Sequence, residues 1–348
     1  MLPSRHRHRL FRAGFATLNA LAADRWLAPL ARGRGLILTF HHVRPDAAGA
    51  FDPNGLLAIT PAFLDRTLTL LAARGFETIP LDALPDRLAE GDGPPFAVLT
   101  FDDGYRDNLH AAAPVLARHG APWTLFVTSD FADGRGRLWW IELERAVARL
   151  DRVRLDDIDL PARDAHEKAA AFETVYRRLR AGPEARLLEG IAALSRQAGF
   201  EPGGLAAELC LSWDELRTLV RDPAVTIGAH TASHPMLAKH GVQTARREIT
   251  AGRARIEAEL DRPVRHLSYP VGDPGSAGAR EFALAADLGF ATAVTTRPGH
   301  LFAGHGRHLH ALPRVSVNGL HQTEAALSSL LSGVPFVAWN RGRRLNVG

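Results

Sequence analysis

The sequence predicts an α/β fold built on parallel strands. Three observations carry this prediction. Short apolar runs that read as buried strands recur along the chain, helical patterns lie between them, and the best-defined runs end in acids or histidines. Gly35 to Val43 (GLILTFHHV) is the first run, set behind glycines. Pro61 to Arg74 follows as a helix, with Thr60 as N-cap and Gly75 as terminator. Phe96 to Phe101 (FAVLTF) is the second buried strand, Asn108 to His119 a helix, and Thr124 to Thr128 (TLFVT) the third strand.

The alternation breaks between about Trp139 and Val220. That stretch shows helical patterns, including Ala169 to Ala198, and no clear strand, so it reads as a helical insertion at about 139–220. Val225 to Gly228 resumes the strands, and Thr244 to Leu260 is a helix. His266 to Tyr269, Thr292 to Thr295 and Arg314 to Val317 supply further short strands, the last with Pro313 at its start. Ala325 to Leu331 closes the pattern as a helix. The chain divides into a basic N-terminal segment, 1–34, and one main domain, 35–335.

With 348 residues, 46% apolar and 23% charged, the chain has the composition of a globular protein with a sizeable core. The net charge is +4, and nearly all cations are arginine; Lys168 and Lys239 are the lysines. They are scattered except for a cluster at the N-terminus, which argues against a nucleic-acid surface. Cys210 is the lone cysteine, so no intrachain disulfide forms, and its flanks read as those of a small buried hydrophobe.

The N-terminus has three open readings. Arg5, Arg7, Arg9 and Arg12 interleave with Leu10, Phe11, Phe15, Leu18 and Leu21 in a helical stripe. Such a helix over 5–22 fits peripheral contact with an anionic membrane. It fits equally a helix packed on its own domain. Ala20-Leu21-Ala22 resembles a cleavage site and leaves secretion open. No apolar run reaches the length of a membrane-spanning helix. The expected location is cytoplasmic or peripheral to a membrane.

Two motifs carry chemistry. Asp102-Asp103 stands at the C-terminal end of a buried strand, where ligands bind in parallel α/β folds. Two adjacent carboxylates repel unless a cation or a proton relieves them. His230-Thr231-Ala232-Ser233-His234-Pro235 again follows a buried strand, and neutral imidazoles so spaced are good zinc ligands. An Asp with two His leaves a coordination position open, as catalytic rather than structural zinc requires.

Thr100-Phe101-Asp102-Asp103-Gly104-Tyr105 and the His230 to Pro235 segment together resemble the two leading motifs of the polysaccharide deacetylase family, the NodB-homology domain of carbohydrate esterase family 4. The resemblance spans about residues 35 to 320. It implies a distorted (β/α)7 barrel with a groove at the strand C-termini. It makes Asp102 the catalytic base and Asp103, His230 and His234 the ligands of a divalent metal, zinc first, with cobalt, nickel or iron as alternatives. The implied reaction removes N-acetyl groups from an amino-sugar polymer or oligosaccharide and releases acetate.

Two family features are displaced. In Leu267-Ser268-Tyr269-Pro270-Val271-Gly272, Ser268 stands where the family has an arginine that orients the base. The N–H near Val271 remains a candidate oxyanion donor, and Tyr269 and Tyr105 are candidate groove residues. The family's C-terminal Leu-x-His has no convincing copy. Leu38 to Val43 instead resembles the branch acting on poly-N-acetylglucosamine exopolysaccharides, in which His41 would protonate the leaving amine. His42, facing the opposite way, is the weaker choice. Leu312-Pro313-Arg314-Val315 also resembles that branch, which makes Arg314 the candidate replacement for the missing arginine. Trp139 and Trp140 are candidates for stacking on sugar faces. A lipid-linked saccharide substrate at the membrane and a non-catalytic carbohydrate-binding role are the rival readings.

Overall fold

The structure is a computed structural model that describes the backbone of residues 4–45, 49–90 and 93–347, with side chains from Leu10 onward. The strands of its main sheet are β1 (Gly35–Phe40), β2 (Glu77–Thr78), β3 (Phe96–Phe101), β4 (Trp123–Val127), β5 (Val225–Ala229), β6 (His266–Ser268), β7 (Thr292–Pro298) and β8 (Leu312–Ser316). Seven of them close into a barrel in the order β1-β8-β7-β6-β5-β4-β3 and back to β1. All the pairings are parallel. The short β2 adds beside the first half of β3. This is the seven-stranded parallel barrel that the family resemblance implies, built on the parallel strands that the sequence predicts.

Strand alternation sorts the side chains. On β3, Ala97, Leu99 and Phe101 face outward into the core beneath the helices, whereas Phe96 and Val98 belong to an inner cluster with Ile37, Phe126, Val294 and Leu312. The inner face of β3 therefore continues through Thr100 to Asp102. On β1 the same rule carries Ile37 and Thr39 inward toward His41. β1 and β3 run in register from Gly35↔Phe96 to Phe40↔Phe101, and Asp102 N–H donates to Phe40 O at 3.0 Å. One further step sets His41 beside Asp102. Gly228, on the inner face of β5, has no room for a side chain: a Cβ there would lie 2.4 Å from the Phe126 ring.

Strand limits fall within a few residues of expectation. The last strand begins at Leu312, so Pro313 sits within it. The helix Pro61–Ala73 has its expected Thr60 cap, whose hydroxyl accepts from Phe63 N–H. Gly75 follows with φ at +73°, a left-handed conformation that glycine reaches freely. The insertion corrects one expectation. It contains helices Trp139–Arg149, Ala165–Ala181 and Glu184–Gln197, but also an antiparallel hairpin, Arg152–Leu155 with Ile158–Pro161. The alternation there is short and largely exposed, so it leaves little trace of hydrophobic periodicity. The insertion builds its own core around Trp139, Leu143, Val175 and Ile191, and Cys210 is buried in it.

The N-terminal helix Ser4–Ala20 lies on the barrel domain. Phe11 stacks on Trp339 at 5.5 Å, and Phe15 meets His321 edge-on at 5.6 Å. Its inward face is thus packed on its own chain. The Arg5, Arg7 and Arg9 side chains lie outside the described ones. No helix among the described residues is long and apolar enough to cross a membrane. A last helix, Val334–Trp339, carries the ordered chain past residue 335.

Candidate metal and active centre

The strand ends converge on one groove, a cavity of about 430 Å³. Its floor holds Thr39, His41, Asp102, Asp103, His230, His234 and Arg314. Asp103, His230 and His234 each offer a ligand atom within 4.8 Å of one another, all buried. Asp103 Oδ1 lies 3.5 Å from His230 Nε2 and 3.4 Å from His234 Nε2. These are contacts, longer than good hydrogen bonds, and among the described residues Asp103 Oδ1 has no hydrogen-bond partner. A buried carboxylate oxygen left open toward two imidazoles is the donor set a divalent cation completes. His230 Nδ1 meets Ser268 O at 2.7 Å, which fixes the tautomer that points Nε2 at the same place. The residues present therefore fit a metal ion.

The backbone is strained where these groups meet. Among the described residues eight non-glycines have positive φ, and of these Asp103, Thr231, His234 and Val271 belong to this site. A left-handed conformation costs each on the order of 1–3 kcal/mol, most for β-branched Thr231 and Val271. Local bonds hold the His loop: Thr231 Oγ1 donates to His230 O, and His234 N–H donates to Thr231 Oγ1 at 3.1 Å.

Asp102 has a different environment. Arg314, 1% exposed, grips it with two bonds, Nη1 to Oδ1 at 2.9 Å and Nη2 to Oδ2 at 2.6 Å. The guanidinium is fixed in turn by Thr295 O at 2.8 Å and Thr100 Oγ1 at 3.2 Å. Arginine thus stands beside Asp102 in space, though it comes from β8. Ser268 bridges the pair: it accepts from Arg314 Nη2 at 3.1 Å and donates to Asp102 Oδ2 at 3.3 Å. Sequence reading saw in Ser268 only a missing arginine and overlooked its hydroxyl in the network. Burial acts to raise the Asp102 carboxyl, but Arg314 foremost, then His230, hold it below its ordinary value. Burial likewise opposes ionisation of Asp103, yet His230 and His234 hold it well below the usual range. The His230 imidazole, penalised by burial, is raised by Asp103 and Asp102.

His41 lines the groove, and burial pushes its imidazole below the ordinary value despite Asp103 and Asp102. His42 turns away, meets Asp107 Oδ2 at 2.6 Å and stacks on Tyr105 at 3.5 Å. Val271 lines the groove, and among the described residues its N–H has no partner. Two expectations need correction. Tyr269 is fully buried in the core, with its hydroxyl donating to His310 O at 2.9 Å, so it does not line the groove. Tyr105 is also fully buried and accepts from Trp140 Nε1 at 3.1 Å, which makes it a wall behind Asp103. Alternation from Ser268 turns Tyr269 away from the cavity, and Tyr105 follows a turn at Asp103 and Gly104, both with positive φ.

The insertion supplies the groove's aromatic wall: Trp139, Trp140, Phe172 and Tyr176. Trp140 lies 5.0 Å from the His234 ring. Trp139 is only 4% exposed, and among the described residues its Nε1 has no partner. Phe172 and Tyr176 escaped sequence reading because an aromatic pair at i and i+4 reads as ordinary helix core.

Comparison with known proteins agrees with this geometry. A polysaccharide deacetylase family model matches residues 89–293. No curated protein matches the chain. Among solved structures it is similar to the Streptococcus pyogenes deacetylase PplD in complex with acetate, at 16% identity and TM-score 0.55, covering 82% of this chain and 92% of that one. It is similar to the polysaccharide deacetylase BA0330 from Bacillus anthracis, at 17% identity and TM-score 0.53, covering 85% of this chain and 68% of that one. IcaB from Ammonifex degensii gives 18% identity and TM-score 0.51, covering 86% of this chain and 97% of that one. At such identities the structures speak for the fold, and the family rests on the match across more than half the chain. The chain belongs to the polysaccharide deacetylase family.

Proposed function

We propose that the protein is a divalent-metal-dependent hydrolase that removes N-acetyl groups from an amino-sugar polymer or oligosaccharide. The observation that carries this reading is the pairing of two unlike carboxylates: Asp103 open toward two imidazoles, and Asp102 held by Arg314. Asp103, His230 and His234 would hold the ion, with zinc the first candidate for an oxygen-and-imidazole donor set. When bound, the ion supplies Lewis-acid polarisation of the attacking water and of the amide carbonyl.

The remaining work falls to side chains and one backbone group. Asp102 is the general base: Arg314 keeps it ionised and fixes its orientation while it takes the water's proton. The Val271 N–H, on a residue that lines the groove, is the donor to the oxygen that gains charge as water adds to the carbonyl carbon. His41 is the proton donor to the nitrogen as the carbon–nitrogen bond breaks, releasing a free amine and acetate. To act as the acid His41 must carry a proton, a form that the neighbouring Asp103 and Asp102 carboxylates favour and burial opposes. The insertion's aromatic wall offers faces for sugar rings. The binding-only reading finds no support in a site that retains Asp102, Asp103, His230 and His234. The test is acetate release from N-acetylated glucosamine oligomers by metal-replete protein, with chelated protein as control.

A further inference from the structure

Among the described residues, nine large apolar side chains are exposed, and seven of them lie in two terminal stretches, residues 10–30 and 337–345. Exposure is high: Trp26 63%, Leu30 71% and Trp339 57%. A soluble surface normally scatters such groups singly. The two stretches adjoin in space. The Phe11 ring stacks on Trp339 at 5.5 Å, the short helices Ala28–Ala31 and Val334–Trp339 pack together, and Arg344 Nη2 reaches Leu30 O at 3.4 Å.

Charge identifies the occupant. Exposed Arg12, Arg25, Arg341, Arg343 and Arg344 belong to these stretches, and among the described residues none pairs with a carboxylate. The only acid in 10–34 and 325–347 is Asp24, which is buried and held by Arg74 and Ser328. A second copy of this face would set arginines against arginines. An anionic lipid surface meets both needs: tryptophan and leucine enter the headgroup boundary, and arginines reach phosphates.

We infer that this face docks on an anionic lipid bilayer. It differs from the stripe expected over 5–22, because Phe11 and Phe15 turn inward while Trp26, Leu30, Val337 and Trp339 face out. The inference does not depend on the reaction proposed above.

The test is co-sedimentation of the full chain with vesicles of phosphatidylcholine, alone or mixed with phosphatidylglycerol. The wild type should sediment with the anionic vesicles and lose binding as salt rises. Each arginine near such a surface contributes about a fivefold gain, so R343Q/R344Q should weaken partitioning on the order of thirtyfold. W26S/W339S should weaken it on both vesicle types. Both variants should keep the wild-type fold by circular dichroism and wild-type turnover of a soluble chitooligosaccharide if that reaction is observed. No sedimentation of wild type with anionic vesicles at low salt would overturn the inference. So would full binding by a folded W26S/W339S, or a wild-type dimer that this variant dissolves without any vesicle binding.

Discussion

Replacing Arg314 by methionine removes the guanidinium and keeps roughly the side-chain length. Asp102 would then sit in a buried site with burial raising its carboxyl and only the histidines opposing it. An arginine neighbour typically lowers an aspartate by about 1–3 pH units, so its loss should return a shift of that order. A base must be ionised. The depressed value keeps Asp102 ionised into mildly acidic solution, and R314M should move the acid limb of the kcat/KM profile upward by about 1–3 pH units. Orientation is lost too, so the plateau should also fall. Breaking one partner of a buried pair costs about 3–5 kcal/mol of stability. The double variant D102N/R314M should recover much of that stability and none of the activity, and R314K should shift the limb less than R314M. The assay is acetate release across pH at fixed metal, with denaturant unfolding alongside. An acid limb unmoved in both R314M and R314K would refute the role given to Arg314.

Other outcomes follow from the same geometry. H41Q should lower turnover of an N-acetyl sugar by roughly 10²–10⁴-fold, but lower hydrolysis of an aryl acetate far less, because that leaving group needs no proton; equal losses would remove His41 from the role of acid. W139F deletes the partnerless indole N–H and keeps an apolar wall, so KM should rise about fivefold with kcat little changed; an unchanged KM would make Trp139 a packing residue only. Burial lowers His300 and His305 to about 4. Their folded values lie below the unfolded value of about 6.5, so their stabilisation is present above that pH and is lost as pH falls toward 4, by about 3 kcal/mol per group at full extent. Urea unfolding at several pH values should show this loss, and a H300Q/H305Q variant should show a flatter dependence.

The parallel strands were legible because each long strand is a continuous apolar run, as strands buried on both faces must be, whereas their closure into a barrel came from the family resemblance. Asp102, Asp103, His230 and His234 were legible because they sit at strand ends in compact motifs. Arg314 could be nominated only by resemblance, since 212 residues separate it from Asp102 and nothing local marks the contact. The Arg152 to Pro161 hairpin was missed because its strands are short and largely solvent-facing. Tyr269 and Tyr105 were misplaced because a motif position gives a residue's neighbourhood and not the direction of its side chain. The strained φ of Val271 and Thr231 lies beyond sequence reading altogether, since both are β-branched residues that ordinarily avoid that conformation.

The most direct test of the account is stoichiometric. Metal-replete wild type should release acetate and a free amine in equal amounts from an N-acetylglucosamine oligomer or poly-N-acetylglucosamine. Chelation should abolish release and added zinc should restore it, while H230A/H234A should bind no stoichiometric metal and release none. Full acetate release by chelated protein free of bound metal, or no release from any N-acetylated amino sugar by metal-replete protein, would contradict it.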